Sequence, residues 1–148
     1  MDEHEAITET VEAAMVRIRR RQTRGALGGD TPIPVAVFRV LDAVAADEST
    51  TVSTIAPTLG VDQPRASRLV AQAVSLELLE RVADQQDGRR AMLRLTGAGQ
   101  QAVAAAQTGR RTAMAAAMSD WTPAERAEFA RLLSRFVDAM DEGRGHPQ

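Results

Sequence analysis

Apolar residues recur every three or four positions near the start of the chain, at Ile7, Val11, Met15 (with Ala14) and Ile18. That spacing predicts a single stripe on a long helix from Glu3 to Arg24. The charges follow the same axis. Glu3, Glu5, Glu9 and Glu12 come early and Arg17, Arg19, Arg20 and Arg21 late, which complements the dipole of such a helix. Gly25 to Pro34, with three glycines and two prolines, must break it. A second helix is predicted from Pro34, burying Val37, Phe38, Leu41 and Val44 and ending at Asp47-Glu48-Ser49.

From Thr51 the pattern shortens. The segment TVSTIAPTLGVDQPRASRLVAQAV reads as a short helix, a tight turn at Gly60, and a helix opened by Asp62 as N-cap with Pro64 in its first turn. This is the arrangement of a helix-turn-helix. On the second helix Ala66, Leu69, Val70 and Ala73 stand at i, i+3, i+4 and i+7 and form the buried stripe, so Arg65, Arg68 and Gln72 face outward. Leu79 to Ala83 and Ala91 to Leu95 then form two strands joined by a polar connection containing Asp87-Gly88. A hairpin directly after such a helix is a wing. Thr96 caps the next helix, an alanine-rich stretch running to about Met118 whose small side chains let another helix approach closely. Thr122-Pro123-Ala124-Glu125 is a capping box, and Phe129, Leu132, Leu133, Phe136, Val137 and Met140 make the apolar face of the last helix before a polar tail, Asp141 to Gln148. Trp121 is expected at the corner between these two helices.

Composition narrows the function more than the fold. A chain of 148 residues with 44% apolar content can bury a core of its own. The absence of cysteine removes disulfides, thiolate metal sites and thiol redox switches. No basic leader precedes an apolar stretch, and the most apolar run, Pro32 to Ala46, is interrupted by Arg39 and Asp42, so a cytoplasmic location is expected. The formal charge of −2 excludes an indiscriminate polycation but not a local positive patch. All 18 basic residues are arginine, which reflects codon bias before chemistry, although arginine suits guanine and phosphate better than lysine does. Aromatic residues are 3% of the chain and lie outside the basic segments, which argues against a stacking platform for single strands.

The order of two helices, helix-turn-helix, wing and two closing helices resembles the MarR family of transcription regulators. Asp87-Gly88-Arg89, followed by Leu95-Thr96 and Gly99, matches its D-x-R and L-T-x-x-G pattern. The resemblance covers about Pro34 to Val137 and is most specific from Ile55 to Gly99. It implies a mainly α fold with a small β-hairpin wing, a homodimer with intertwined first and last helices, a recognition helix in the major groove and a wing arginine in the minor groove. It also implies a small anionic or aromatic ligand held between the dimer arms and the DNA-binding lobe. No cofactor is implied. The urate-responsive branch carries a tryptophan in its first helix, which this chain lacks, so urate is not expected.

On this reading residues 1–30 are a dimerisation helix and linker, 31–96 the DNA-binding lobe, 97–142 the closing dimerisation helices and 143–148 a tail. The expected DNA contacts are Gln63, Pro64, Arg65, Ser67, Arg68 and Gln72 on the helix and Asp87, Arg89 and Arg90 on the wing. Taken alone, Arg65 and Arg68 would be solvated helix charges; the wing after them shifts the balance toward DNA. Asp87 is expected to hold Arg89 in position, against the alternative of a simple turn-former. The Arg17 to Arg24 cluster could touch phosphates or an anionic ligand, but the ordinary preference of arginine for a helix C-terminus is the stronger reading. Met15, Met114, Met118 and Met140 read as core filler in preference to an adaptable pocket. The expected dimer residues are Ile7, Val11 and Met15 on the first helix and Leu133, Phe136, Val137 and Met140 on the last, because the lobe can close its own core without them.

Two positions depart from the family pattern. Where a glycine usually ends the recognition helix in a left-handed turn this chain has Glu77, which either bears a cost of roughly 1 kcal/mol or ends the helix differently. Pro57 falls within the first helix of the motif, which is therefore expected to be short or to begin late. An enzyme is the weakest reading, since the histidines, His4 and His146, are near the ends and no phosphate loop or metal spacing is present. A winged helix that binds proteins is the stronger rival. Its surface would want aromatic or aliphatic anchors where this one offers arginine, glutamine and serine.

Overall fold

The computed structural model describes residues 2–23 and 32–144. Residues Met1–Arg110 form one compact unit and Arg111–Gln148 a second. The first opens with α1 (Glu3–Thr23), whose start is held by the Asp2 carboxylate accepting the Glu5 amide at 2.7 Å. The predicted last residue, Arg24, and most of the Gly25 to Pro34 break lie outside the described residues. α2 (Val35–Ala46) starts at Pro34 and stops at Asp47, as the pattern predicts. Val37, Leu41 and Val44 are buried on its inner face together with Val40, while Phe38 is half-buried.

α3 (Val52–Leu59) and α4 (Gln63–Ser75) form the helix-turn-helix. Thr51 and Thr54 exchange side-chain-to-backbone hydrogen bonds in a capping box at the start of α3. Gly60 ends α3 at φ 69°, a left-handed conformation that costs glycine little. The Asp62 carboxylate accepts the Arg65 amide at 2.8 Å and opens α4. Ala66, Leu69, Val70 and Ala73 are the buried residues of α4, so its predicted stripe is the observed one.

β1 (Leu79–Ala83) pairs antiparallel with β2 (Ala91–Leu95), Leu79 opposite Leu95 and Ala83 opposite Ala91. The Leu93 amide also reaches the Thr50 carbonyl at 2.9 Å, which ties β2 to the entry of α3 and satisfies backbone where Thr50 and Thr51 are buried. The core of this unit joins Val37, Val40 and Leu41 of α2, Ile55 of α3, Val70 of α4, Leu79 of β1 and Leu93 of β2. Each such side chain contributes roughly 1.5–3 kcal/mol through its burial. α5 (Gly97–Ala117) adds Val103 to the same core.

In the second unit α6 (Pro123–Arg144) is opened by a reciprocal pair. The Thr122 amide donates to Glu125 Oε1 at 2.9 Å and the Glu125 amide to Thr122 Oγ1 at 3.1 Å, the predicted capping box. Trp121 sits at the corner and meets Phe129 edge to face, ring centroids 5.2 Å apart. No residue of α6 is buried.

Candidate nucleic-acid interface

The outer surface of α4 follows from its inner one. With the buried stripe turned to the core, Gln63, Pro64, Arg65, Ser67, Arg68 and Gln72 are all exposed. No acidic residue occurs between Gln63 and Ser75, so the helix carries two positive charges and no negative one. The side chains of Arg65, Arg68, Arg89 and Arg90 form no ion pair among the described residues. The neighbouring acids have structural tasks: Asp62 caps α4, Glu80 pairs with Arg94 across the hairpin at 2.6 Å, and Asp84 accepts the Gln86 amide at 2.9 Å.

The wing is closed by the Asp84 amide donating to the Arg90 carbonyl at 2.9 Å. Asp87, Arg89 and Arg90 lie in this connection and are exposed. The contacts of Asp87 run to main chain. Its carboxylate accepts the backbone amide of Arg89 at 3.1 Å and its carbonyl accepts the Arg90 amide at 3.0 Å, so Asp87 shapes the turn and leaves the Arg89 guanidinium alone. The main-chain contact to Arg89 forms the turn and at the same time fixes the backbone from which the Arg89 side chain leaves.

The exit from α4 joins helix, wing and α5. Glu77 adopts φ 61°, the left-handed conformation itself and not a different helix end. The Leu78 amide reaches the Ala73 carbonyl at 3.1 Å and the Glu77 amide the Val74 carbonyl at 2.9 Å, a complete Schellman closure without its usual glycine. Thr96 does more than cap α5. Its hydroxyl donates to the Glu77 carbonyl at 2.6 Å and accepts the Gly99 amide at 3.0 Å. Gly99 is required by proximity, because a Cβ there would stand 2.0 Å from the Leu78 carbonyl oxygen. The L-T-x-x-G pattern therefore has a physical basis as the joint that fixes the end of α4 to the start of α5.

Sequence reasoning missed one contact at the front of α4. Gln63 Nε2 donates to the Ser53 carbonyl at 2.9 Å. The signal was present in Pro57, which has no amide to offer the carbonyl four residues before it. Pro57 sits in the second turn of α3, so the helix is short, as expected, but does not begin late.

A groove of about 620 Å³ lies between the end of α2, the hairpin and α5, with Val44, Val82, Leu93 and Val103 among its apolar walls and Glu48 and Gln107 at polar positions. Among the described residues no cluster of histidine, cysteine or carboxylate side chains could hold a metal ion, and no helix is long and apolar enough to cross a membrane.

Residues 31–90, which span α2, the helix-turn-helix, β1 and the connection of the wing, match the model of the MarR family. Over this stretch the chain is similar to the MarR family, and its fold there is a winged helix. Solved structures share the fold over most of the chain. RV1404 from Mycobacterium tuberculosis is 26% identical with a TM-score of 0.75, covering 100% of this chain and 98% of its own. A MarR family protein from Bacillus stearothermophilus is 18% identical with a TM-score of 0.82, covering 95% and 99%. The PcaV transcriptional regulator from Streptomyces coelicolor, solved in complex with its natural ligand, is 23% identical with a TM-score of 0.58, covering 86% and 91%. The sequence has no match among curated proteins.

Proposed function

We propose that this chain is a sequence-specific, duplex-DNA-binding transcription regulator that acts as a homodimer on a pseudo-palindromic operator. The observation that carries the reading is the outer face of α4, with Arg65 and Arg68 exposed, in no ion pair among the described residues and with no acidic residue on the helix itself, followed at once by a hairpin bearing Arg89 and Arg90. Guanidinium groups on a helix of this kind match the two acceptors of guanine in the major groove, and arginine on a wing suits the narrow minor groove. Gln63, Pro64, Ser67 and Gln72 border the same face.

The dimer rests on exposed apolar stripes. Ile7, Val11 and Met15 of α1 are 36–55% exposed, and Leu133, Phe136, Val137 and Met140 of α6 are 37–52% exposed. A second copy covering both stripes makes residues 1–30 and 97–142 dimer arms and 31–96 the DNA-binding lobe. Two-fold symmetry then requires half-sites about 10 base pairs apart. The dimer represses by occupancy and is released by a small anionic or aromatic ligand. PcaV was solved with its natural ligand, which supports ligand response as the regulatory mode. Release requires the ligand to bind the DNA-incompetent spacing more tightly, since equal affinity for both spacings shifts nothing.

Selection of bound sequences from a random duplex pool tests this reading, with an inverted repeat expected. Affinity profiles of two variants then separate the grooves. Arg68→Ala should cost roughly 1–3 kcal/mol and relax preference at one base position per half-site, whereas Arg89→Ala should weaken binding and alter mainly flanking A·T preference. Failure to enrich any duplex, or variants that bind like the parent, would refute the assignment.

A further inference from the structure

An amide-free residue inside α3 leaves a defined gap. Pro57 is the sixth residue of an eight-residue helix and offers no N–H to the carbonyl of Ser53, its partner in the i to i−4 ladder. Gln63, the first residue of α4, donates its Nε2 amide to that oxygen at 2.9 Å. The donor comes from ten positions further along the chain and from the other helix of the motif.

We propose that Gln63 is the positioning residue of the helix-turn-helix, its side chain replacing the missing amide of Pro57 and thereby setting the angle at which α4 leaves α3. The remaining ties between these helices do not set that angle alone. Ile55, Leu59, Ala66 and Val70 belong to one buried cluster, whose packing restrains the crossing of the two helices on their inner side only. The closures at Gly60 and Asp62 are local to the turn. A hydrogen bond is directional, and this one spans the turn from the first residue of one helix to the body of the other. Its geometry also changes the role expected of Gln63, because a side chain whose donor is engaged with Ser53 is not free to offer that donor to a base edge.

The consequence for DNA rests on the function proposed above; the positioning itself does not. A double-substitution cycle of Gln63→Ala with Pro57→Ala separates the two. In the parent chain, Gln63→Ala should lower the folding constant in urea by roughly three- to tenfold, the range for one hydrogen bond. In the Pro57→Ala background the new main-chain amide supplies Ser53, and the same substitution should cost less than about twofold. Gln63→Glu, similar in shape but without the donor, should behave like Gln63→Ala. Residual dipolar couplings should show the α3–α4 angle changed in Gln63→Ala and restored in the double variant. Equal losses in both backgrounds, or an unchanged angle in Gln63→Ala, would overturn the proposal. On operator duplex, Gln63→Ala should lose affinity evenly across sequences and regain it with Pro57→Ala. A change of preference at one base position that Pro57→Ala fails to restore would make Gln63 a base-reading residue and also overturn it. If the parent chain binds no duplex, the functional proposal falls, and the urea cycle with the couplings still decides the role of Gln63.

Discussion

Two residues in left-handed conformation carry much of the local logic of this molecule, and only one of them is a glycine. Gly60 at φ 69° and Glu77 at φ 61° close α3 and α4 with the same pair of main-chain hydrogen bonds, from Val61 to Ala56 and from Leu78 to Ala73 at their outer ends. At Glu77 the Cβ crowds the following carbonyl at roughly 1–2 kcal/mol. The turn persists because Leu78 and Ala73 are buried beneath it and Thr96 bonds to the Glu77 carbonyl. Glu77→Gly is therefore expected to stabilise the chain by about 0.5–1 kcal/mol, the relief of strain less the extra freedom glycine gives the unfolded state. Urea denaturation measures this, with Glu77→Ala as the control that keeps the Cβ and should be near neutral; a destabilised glycine variant would show the position to be unstrained. The family pattern marked the position in the sequence, but which ending α4 takes depends on burial and on Thr96, nineteen residues away in the chain. Asp87 shows the same limit: its type predicts a turn, while whether it holds the backbone or the guanidinium of Arg89 is a matter of a few ångströms.

Helices and strands were legible because their signals are local. The strand limits, the stripe of α4 and the caps at Asp62, Thr96 and Thr122 all follow from residue spacing within a turn or two. The contact between Gln63 and Ser53 was not legible, since it depends on how two helices cross. At α6 the cap also gives a pH response. The Thr122 amide, and then its side chain, hold the Glu125 carboxyl below its ordinary value of 4.5. A carboxylate held low stabilises the fold above its unfolded value, and that contribution is lost as pH falls through the lowered folded value. The first turn of α6 should thus remain ordered at neutral pH and fray only below about pH 4.5. Thr122→Ala should remove the side-chain half of the cap at a cost of about 1 kcal/mol and move the Glu125 titration only part of the way toward its ordinary value, since alanine keeps the main-chain amide. Following the Glu125 side-chain carbon by NMR against pH tests both; a Glu125 that titrates at its ordinary value in the parent chain would mean that the box does not persist in solution.

At the scale of the whole molecule the question is what covers α1 and α6. Ten large apolar side chains on these helices, from Ile7 to Ile18 and from Phe129 to Met140, remain more than a third exposed in the single chain. Met15 and Met140 are among them, so the methionines predicted as core filler are not buried in one copy. Their combined area is comparable to the roughly 800 Å² that each partner covers in a standard interface. Helices of this length draw most of their stability from packing an apolar face, which argues that α6, with no buried residue of its own, is completed by a partner. Sequence periodicity showed the stripes but not their partner, because a core stripe and an interface stripe have the same spacing. Phe136 is the central test, an aromatic side chain at 39% exposure on the α6 stripe. Under the proposed symmetry Phe136→Asp places a carboxylate from each copy in an apolar interface, and an unpaired charge there costs several kcal/mol. Since micromolar dimerisation corresponds to about 8 kcal/mol, a loss of that size moves the assembly to monomer at the same concentration. Light scattering should report a dimer for the parent chain and a monomer for the variant. Circular dichroism should show that the winged-helix core, which contains no residue of α6, stays folded. The variant monomer should then bind a single half-site weakly and show no preference for inverted over direct repeats. A parent chain that is folded and monomeric at micromolar concentration would remove the dimer, and with it the half-site spacing and the ligand mechanism that depends on it.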